Sequence, residues 1–74
     1  MYYFFNDITG QLVMHKQTFG HFIDYLRYLS TLLRNSGGTF NAYGYKVYHN
    51  NDYLFSIDIK GNIEVSNELR RRTY

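Results

Sequence analysis

From Thr18 onward, Phe19, Phe22, Ile23, Leu26, Leu29 and Leu33 recur at intervals of three and four residues. That spacing predicts an amphipathic helix with one buried face. Thr18 is a good N-cap, because its hydroxyl can accept from a free N–H of the first turn. Asn35-Ser36-Gly37-Gly38 supplies the stop, since glycine enters the left-handed C-cap conformation without a Cβ clash. Arg34 in the last turn complements the helix dipole. A second stripe, Tyr25, Tyr28 and Leu32, also steps by three and four. It has two readings: a broad contact with a curved sheet, in which the tyrosines cover the core edge, or a docking or dimer surface. The first is favoured by the usual width of apolar helix faces.

The rest of the chain alternates as strands do. Residues 2–6 are aromatic and strand-prone, Asp7-Ile8-Thr9-Gly10 reads as a turn, and residues 11–16 form the return strand of a hairpin. Residues 39–49 read as one strand, with a bend at Gly44. In that strand Tyr43, Tyr45 and Val47 share one face, while Ala42, Lys46 and Tyr48 share the other. After a turn at Asn50-Asn51-Asp52, Tyr53, Phe55, Ile57 and Ile59 alternate with Leu54, Ser56, Asp58 and Lys60. A tight turn at Lys60-Gly61-Asn62 leads to Ile63 and Val65, which alternate with Glu64 and Ser66. Residues 67–74 read as a short helix or a loose tail.

The predicted order is ββαβββ, an α+β fold in which the helix packs on one face of an antiparallel sheet. Phe55, Ile57, Ile63 and Val65 are expected to face the helix, leaving Ser56, Asp58, Glu64 and Ser66 on the wet side. Seventy-four residues make one domain, placed here at residues 1–69, with a basic C-terminal tail at 70–74. No stretch approaches the roughly 20 apolar residues of a membrane span. The apolar opening Met1 to Phe5 ends at Asn6-Asp7 and lacks the marks of a signal peptide. A soluble, cytoplasmic protein is expected, and the absence of Cys fits that compartment.

Charge changes this picture little. The formal net charge is +2, yet residues 1–69 alone sum to −1, so the excess lies in Arg70-Arg71-Arg72. A nucleic-acid binder usually carries its positive charge on the folded face. The tail is either a phosphate- or acid-binding element or a solvated solubility tail.

Catalytic chemistry finds no foothold. His15, His21 and His49 lack metal-ligand spacing, and without Cys there is no thiolate site, so neither a metal nor another cofactor is expected. Asp52 and Asp58 carry no mark of an acid–base pair. Gly37-Gly38 follows a helix rather than a strand, which fits a C-cap better than a phosphate loop. Ser30 and Ser36 lack the context of a nucleophile elbow. An enzyme is not expected.

The composition points instead to contact. Nine Tyr and six Phe in 74 residues exceed what one small core can hide. Tyr joins an apolar ring to a polar tip and suits half-wet interfaces. The candidate anchors are Tyr25, Tyr28 and Leu32 on the helix, and Tyr43, Tyr45 and Tyr48 on the sheet. Tyr28→Ala and Tyr45→Ala are expected to spare the fold and weaken binding. The short length, the Asn and Tyr content, the lack of Cys and Pro and the absence of a catalytic motif give the whole chain a general character. It resembles small proteins encoded by bacteriophages and other mobile elements, including anti-CRISPR and host-takeover proteins. That resemblance implies a stoichiometric inhibitor or modulator that occupies a site on a larger host machine, and it transfers no residue role. A protein partner is the first expectation. A single-stranded nucleic-acid binder, with stacking tyrosines and Arg70 to Arg72 on phosphates, is the alternative. A structural homodimer is the third.

Overall fold

The computed structural model describes residues 1–65, so the tail at Arg70, Arg71 and Arg72 lies outside the described residues. Five strands and one helix follow in the order β1 (Tyr2–Asn6), β2 (Leu12–Lys16), α1 (Phe19–Ser36), β3 (Tyr45–His49), β4 (Asp52–Ile57) and β5 (Ile63–Val65). The fold is α+β, with one antiparallel sheet of strand order β2-β1-β3-β4-β5. β2 and β3 both run antiparallel to β1 and flank it. The helix that joins them therefore passes over β1.

The helix ends where its sequence dictates. Thr18 stands in extended conformation and its hydroxyl accepts from His21 N at 3.2 Å. Gly37, with φ +62°, donates to Arg34 O at the other end. Phe22, Leu29 and Leu33 are buried and meet Phe4, Tyr45, Val47 and Ile57 of the sheet. Each such side chain is worth about 1.5–3 kcal/mol when taken fully out of water. Tyr2 extends this core, its ring stacked on Phe22 with centroids 4.3 Å apart. Phe19, at the first turn, is 62% exposed and only borders the core.

Two expected features change. The strand expected over 39–49 begins at Tyr45, and 39–44 is an irregular approach. At Gly44 the backbone runs close against β4, where only glycine fits, since a Cβ there would lie 2.4 Å from the carbonyl oxygen of Ile57. The Gly44 N–H donates to Asp7 Oδ1, and its carbonyl accepts from Asp7 N, both at 3.1 Å. The second change lies in β4. Val47 faces Phe55 but Tyr48 faces Tyr53, so Leu54 is an extra residue in a β-bulge. The alternation expected from Tyr53 to Ile59 breaks at that point. Phe55 and Ile57 face the helix, Tyr53 turns to the opposite side, and Leu54 packs against the core margin.

The β4–β5 turn is tied to both layers. Asp58 Oδ1 accepts from Lys60 N and Asn62 N, and Oδ2 accepts from Asn62 Nδ2, each at 2.9 Å. These bonds from Asn62, reinforced by Lys60, hold the Asp58 carboxyl below its ordinary range. Gly61 lies against α1 with φ +85°, and a Cβ there would stand 2.9 Å from Ser30 O and from Arg34 Cγ. Ile63 and Val65 pair with Ile57 and Phe55 and share their face, but at the sheet edge they are 44% and 38% exposed.

Candidate functional site

The face of the sheet turned away from α1 is built by register. One cross-strand row reads His15, Tyr3, Tyr48 and Tyr53 over β2, β1, β3 and β4. The next reads Leu12, Phe5, Lys46, Ser56 and Glu64, over all five strands. Directly opposed residues have Cβ atoms about 4.5–5.5 Å apart, so the four rings form a continuous band. Tyr3 and Phe5 have centroids 6.0 Å apart, Phe5 meets Tyr48 edge-on at 5.5 Å, and Tyr48 meets Tyr53 at 5.5 Å. The Tyr53 hydroxyl bonds Ser56 Oγ beside it. All four rings keep part of their surface exposed, and among the described residues no second layer lies over them.

Phe5, Lys46 and Tyr48 floor an open concavity of about 450 Å³ on this face. The β1–β2 turn, through Asp7 and Gly10, borders one end, and Asn50 and Asn51 of the β3–β4 turn border the other. Both borders are held in place. Asn6 Oδ1 accepts from Ile8 N at 2.8 Å and from Thr9 N at 3.1 Å. Asn50, in left-handed conformation at φ 53°, donates its N–H to Met1 O and accepts the Met1 ammonium on Oδ1, both at 2.8 Å. A separate, apolar concavity of about 460 Å³ runs between α1 and β4–β5, lined by Phe19, Phe22, Leu26, Leu54, Phe55 and Val65.

The anchors expected from sequence separate by burial. Tyr48 lies on the open face. Tyr45 is 2% exposed and belongs to the core, so its selection as a surface anchor is corrected. Its hydroxyl bonds Asn41 Nδ2, and its ring lies 5.4 Å from that of Tyr43. Burial first, and the neighbouring Tyr43 and Tyr25 phenols second, push its pKa far above the ordinary tyrosine value. Tyr43 is partly buried against the core and lies in the approach to β3, away from the band. On the helix, Tyr25 sets its ring edge-on to Phe4 at 5.0 Å, beneath the Lys16 ammonium at 5.4 Å. Its phenol is also raised, by burial and then by Tyr28 and Tyr43. Tyr25 thus covers the core edge, Leu32 is half-buried, and Tyr28, at 61%, is the exposed member of that stripe.

Tyr3, Phe5 and Tyr53 were not among the expected anchors. For Tyr3 and Phe5 the sign was present, since a strand with rings at both parities, as in Tyr2-Tyr3-Phe4-Phe5, places rings on both faces. For Tyr53 it was not, because a one-residue bulge leaves no mark in the alternation.

The polar candidates do not converge. His15 stands on the open face, whereas His49 stacks on Tyr2 at 4.4 Å on the helix side. His21 is exposed in the first turn of α1. Ser30 Oγ donates to Leu26 O at 2.7 Å, and Ser36 Oγ to Leu33 O at 2.9 Å, so neither is poised as a nucleophile. Among the described residues no three His, Asp or Glu side chains group as metal ligands, and no helix is long and apolar enough to cross a membrane. No family model matches the sequence, no curated protein is significantly similar to it, and no solved structure matches the fold.

Proposed function

We propose that this chain is a non-catalytic protein-binding module, and that its partner docks on the open face of the sheet. The observation that carries this reading is the band of Tyr3, Phe5, Tyr48 and Tyr53, left partly exposed while seven other hydrophobic side chains are fully enclosed on the opposite side. Rings are favoured anchors in protein interfaces because they bring large area at low rotamer cost. The module acts by occupancy, as a stoichiometric inhibitor or modulator of a larger assembly in the cytoplasm. That part rests on the resemblance in size and composition to small phage-encoded proteins.

The same band supports a second reading, a single-stranded nucleic-acid platform, because rings on an antiparallel sheet can stack bases. Two observations weigh against it. Phe5 and Tyr48 already meet at 89°, edge to face, so the rings are engaged with one another rather than laid flat. Lys46 is the single lysine or arginine in the two rows, with Glu64 at their edge, which is too little to follow a phosphate backbone.

The deciding experiment is a titration of labelled single- and double-stranded DNA and RNA with the full chain and with a version ending at Leu69, at low and near-physiological salt. The protein reading expects no binding to any of them. Tight binding that weakens steeply with salt and depends on the tail would put nucleic acid first. A strictly monomeric mass in light scattering at high concentration would remove a homodimer from consideration.

A further inference from the structure

We infer that the partner meets the open face with a carboxylate seated against Lys46. This deepens the reading of that face as a protein-docking surface and rests on it.

Lys46 is placed where a partner cannot avoid it. β3 is the central strand of the five, with two strands on either side. Neighbouring strands lie about 4.8 Å apart, so each lateral edge is roughly 10 Å away, beyond the reach of a lysine side chain. Phe5 stands directly across from Lys46 on β1, Ser56 directly across on β4, and Tyr48 two residues along the same strand. Phe5, Lys46 and Tyr48 floor one concavity. A surface that covers the two rings therefore covers the ammonium between them.

Lys46 is exposed, and among the described residues no side-chain hydrogen bond or ion pair engages its ammonium. Asp7 borders the same concavity and accepts from Gly44 N on Oδ1 at 3.1 Å, but its carboxylate does not come within ion-pair distance of the Lys46 ammonium. Glu64 lies two strands away at the sheet edge. Burying an ammonium without a counter-charge is strongly unfavourable, whereas a carboxylate brought by the partner offsets the desolvation with a charge-assisted hydrogen bond. The apolar rings around it select the neighbours of that carboxylate. The occupant that fits is an acidic residue flanked by aromatic or aliphatic side chains on a protein surface or peptide.

The test is a selection of a random displayed peptide library against the immobilised full chain, run in parallel on wild type and Lys46→Glu. Lys46 is exposed and its ammonium has no partner among the described residues, so Lys46→Glu should melt as wild type does; if it does not, Lys46→Gln takes its place. Wild type should enrich Asp or Glu beside an apolar residue. The charge-reversed protein should bind those peptides about tenfold more weakly or worse and enrich Lys or Arg instead. Tyr48→Ala should lose the wild-type winners, and Tyr28→Ala should keep them. Winners of the same charge composition from both proteins would overturn the carboxylate while leaving the docking face intact. Winners lost in Tyr28→Ala but kept in Tyr48→Ala would move the interface to the helix and overturn both readings. No winners from either protein, with or without binding to a thymidine oligonucleotide, would also overturn both.

Discussion

Tyr45 and Tyr48 stand three residues apart on one strand and belong to opposite faces: Tyr45 is sealed in the core opposite Ile57, and Tyr48 lies on the open face opposite Tyr3 and Tyr53. Two side chains of one type on one strand should therefore respond differently to the same change. Tyr45→Ala is expected to cost about 3–5 kcal/mol, as other buried aromatic truncations do. That is enough to unfold much of a domain this small. Tyr48→Ala removes cross-strand ring contacts worth at most about 1 kcal/mol each, and should keep the fold while losing the partner. Urea unfolding of the two variants measures the contrast, and equal losses would contradict the assignment of faces.

The bulge in β4 makes a prediction about deletion. Removing Leu54 would leave Val47 opposite Phe55 and Tyr48 opposite Tyr53 as consecutive pairs, a regular ladder. The variant should fold, less stable by the packing of one side chain, about 1–3 kcal/mol. Removing Ser56 instead brings Phe55 and Ile57 next to each other and forces one of them onto the wrong face. Amide proton spectra should show dispersed signals for the first deletion and collapsed ones for the second.

Gly61 and Gly10 separate backbone strain from crowding. Both have positive φ, +85° and +76°, but a Cβ meets Ser30 O and Arg34 Cγ at 2.9 Å at Gly61 and nothing within 4 Å at Gly10. Each change to Ala carries the left-handed cost of about 1–3 kcal/mol. Gly61→Ala should lose more, because the helix backbone at Ser30 cannot retreat without unpacking α1. Thermal melts of the pair would check it, and a Gly61→Ala melt no lower than that of Gly10→Ala would contradict the close approach.

The phenols of Tyr25 and Tyr45 set the alkaline limit. Burial raises both in the folded chain, above the ordinary value of about 10 that they regain on unfolding. Below that value both states are protonated and stability is unaffected. Above it the unfolded chain loses these protons first, so stability should fall as pH rises from about 10 towards the raised folded values. Tyr45→Phe should flatten the fall. An ultraviolet phenolate titration alongside unfolding would show the two phenols ionising at higher pH in the folded chain than in the unfolded one.

At the opposite end of the scale, Asp58 is held ionised by its bonds to Asn62 and Lys60. Its carboxyl lies lower folded than unfolded, so the contribution is present above the ordinary carboxylate range and fades as pH falls through the depressed folded value. Asp58→Ala should remove that acid-side loss along with the turn's hydrogen bonds. A stability profile over acid pH in wild type and variant measures both.

Much was legible in the chain because it is written in local terms. Thr18, Gly37 and the three-and-four spacing between them specify α1 almost to the residue, since caps and periodicity are properties of neighbouring positions. The strands of β1 and β2, and the parity that separates Lys46 and Tyr48 from Val47, followed from alternation in the same way. The aromatic content marked a contact surface in general. It could not say which rings, because Tyr45 and Tyr48 look alike until the sheet has a covered side and an open one.

What only the tertiary structure decided depends on distant partners. The strand order, with β1 between β2 and β3, sets Tyr3 against Tyr48 and Phe5 against Lys46 across more than forty residues of sequence. The Leu54 bulge turns Tyr53 outward, and it exists only relative to β3. β3 starts only at Tyr45, after Gly44 has passed close against the carbonyl of Ile57. Periodicity acts through neighbouring residues and fixes which side chains share a face. Only pairing and packing fix which face the helix covers, and so which rings remain for a partner.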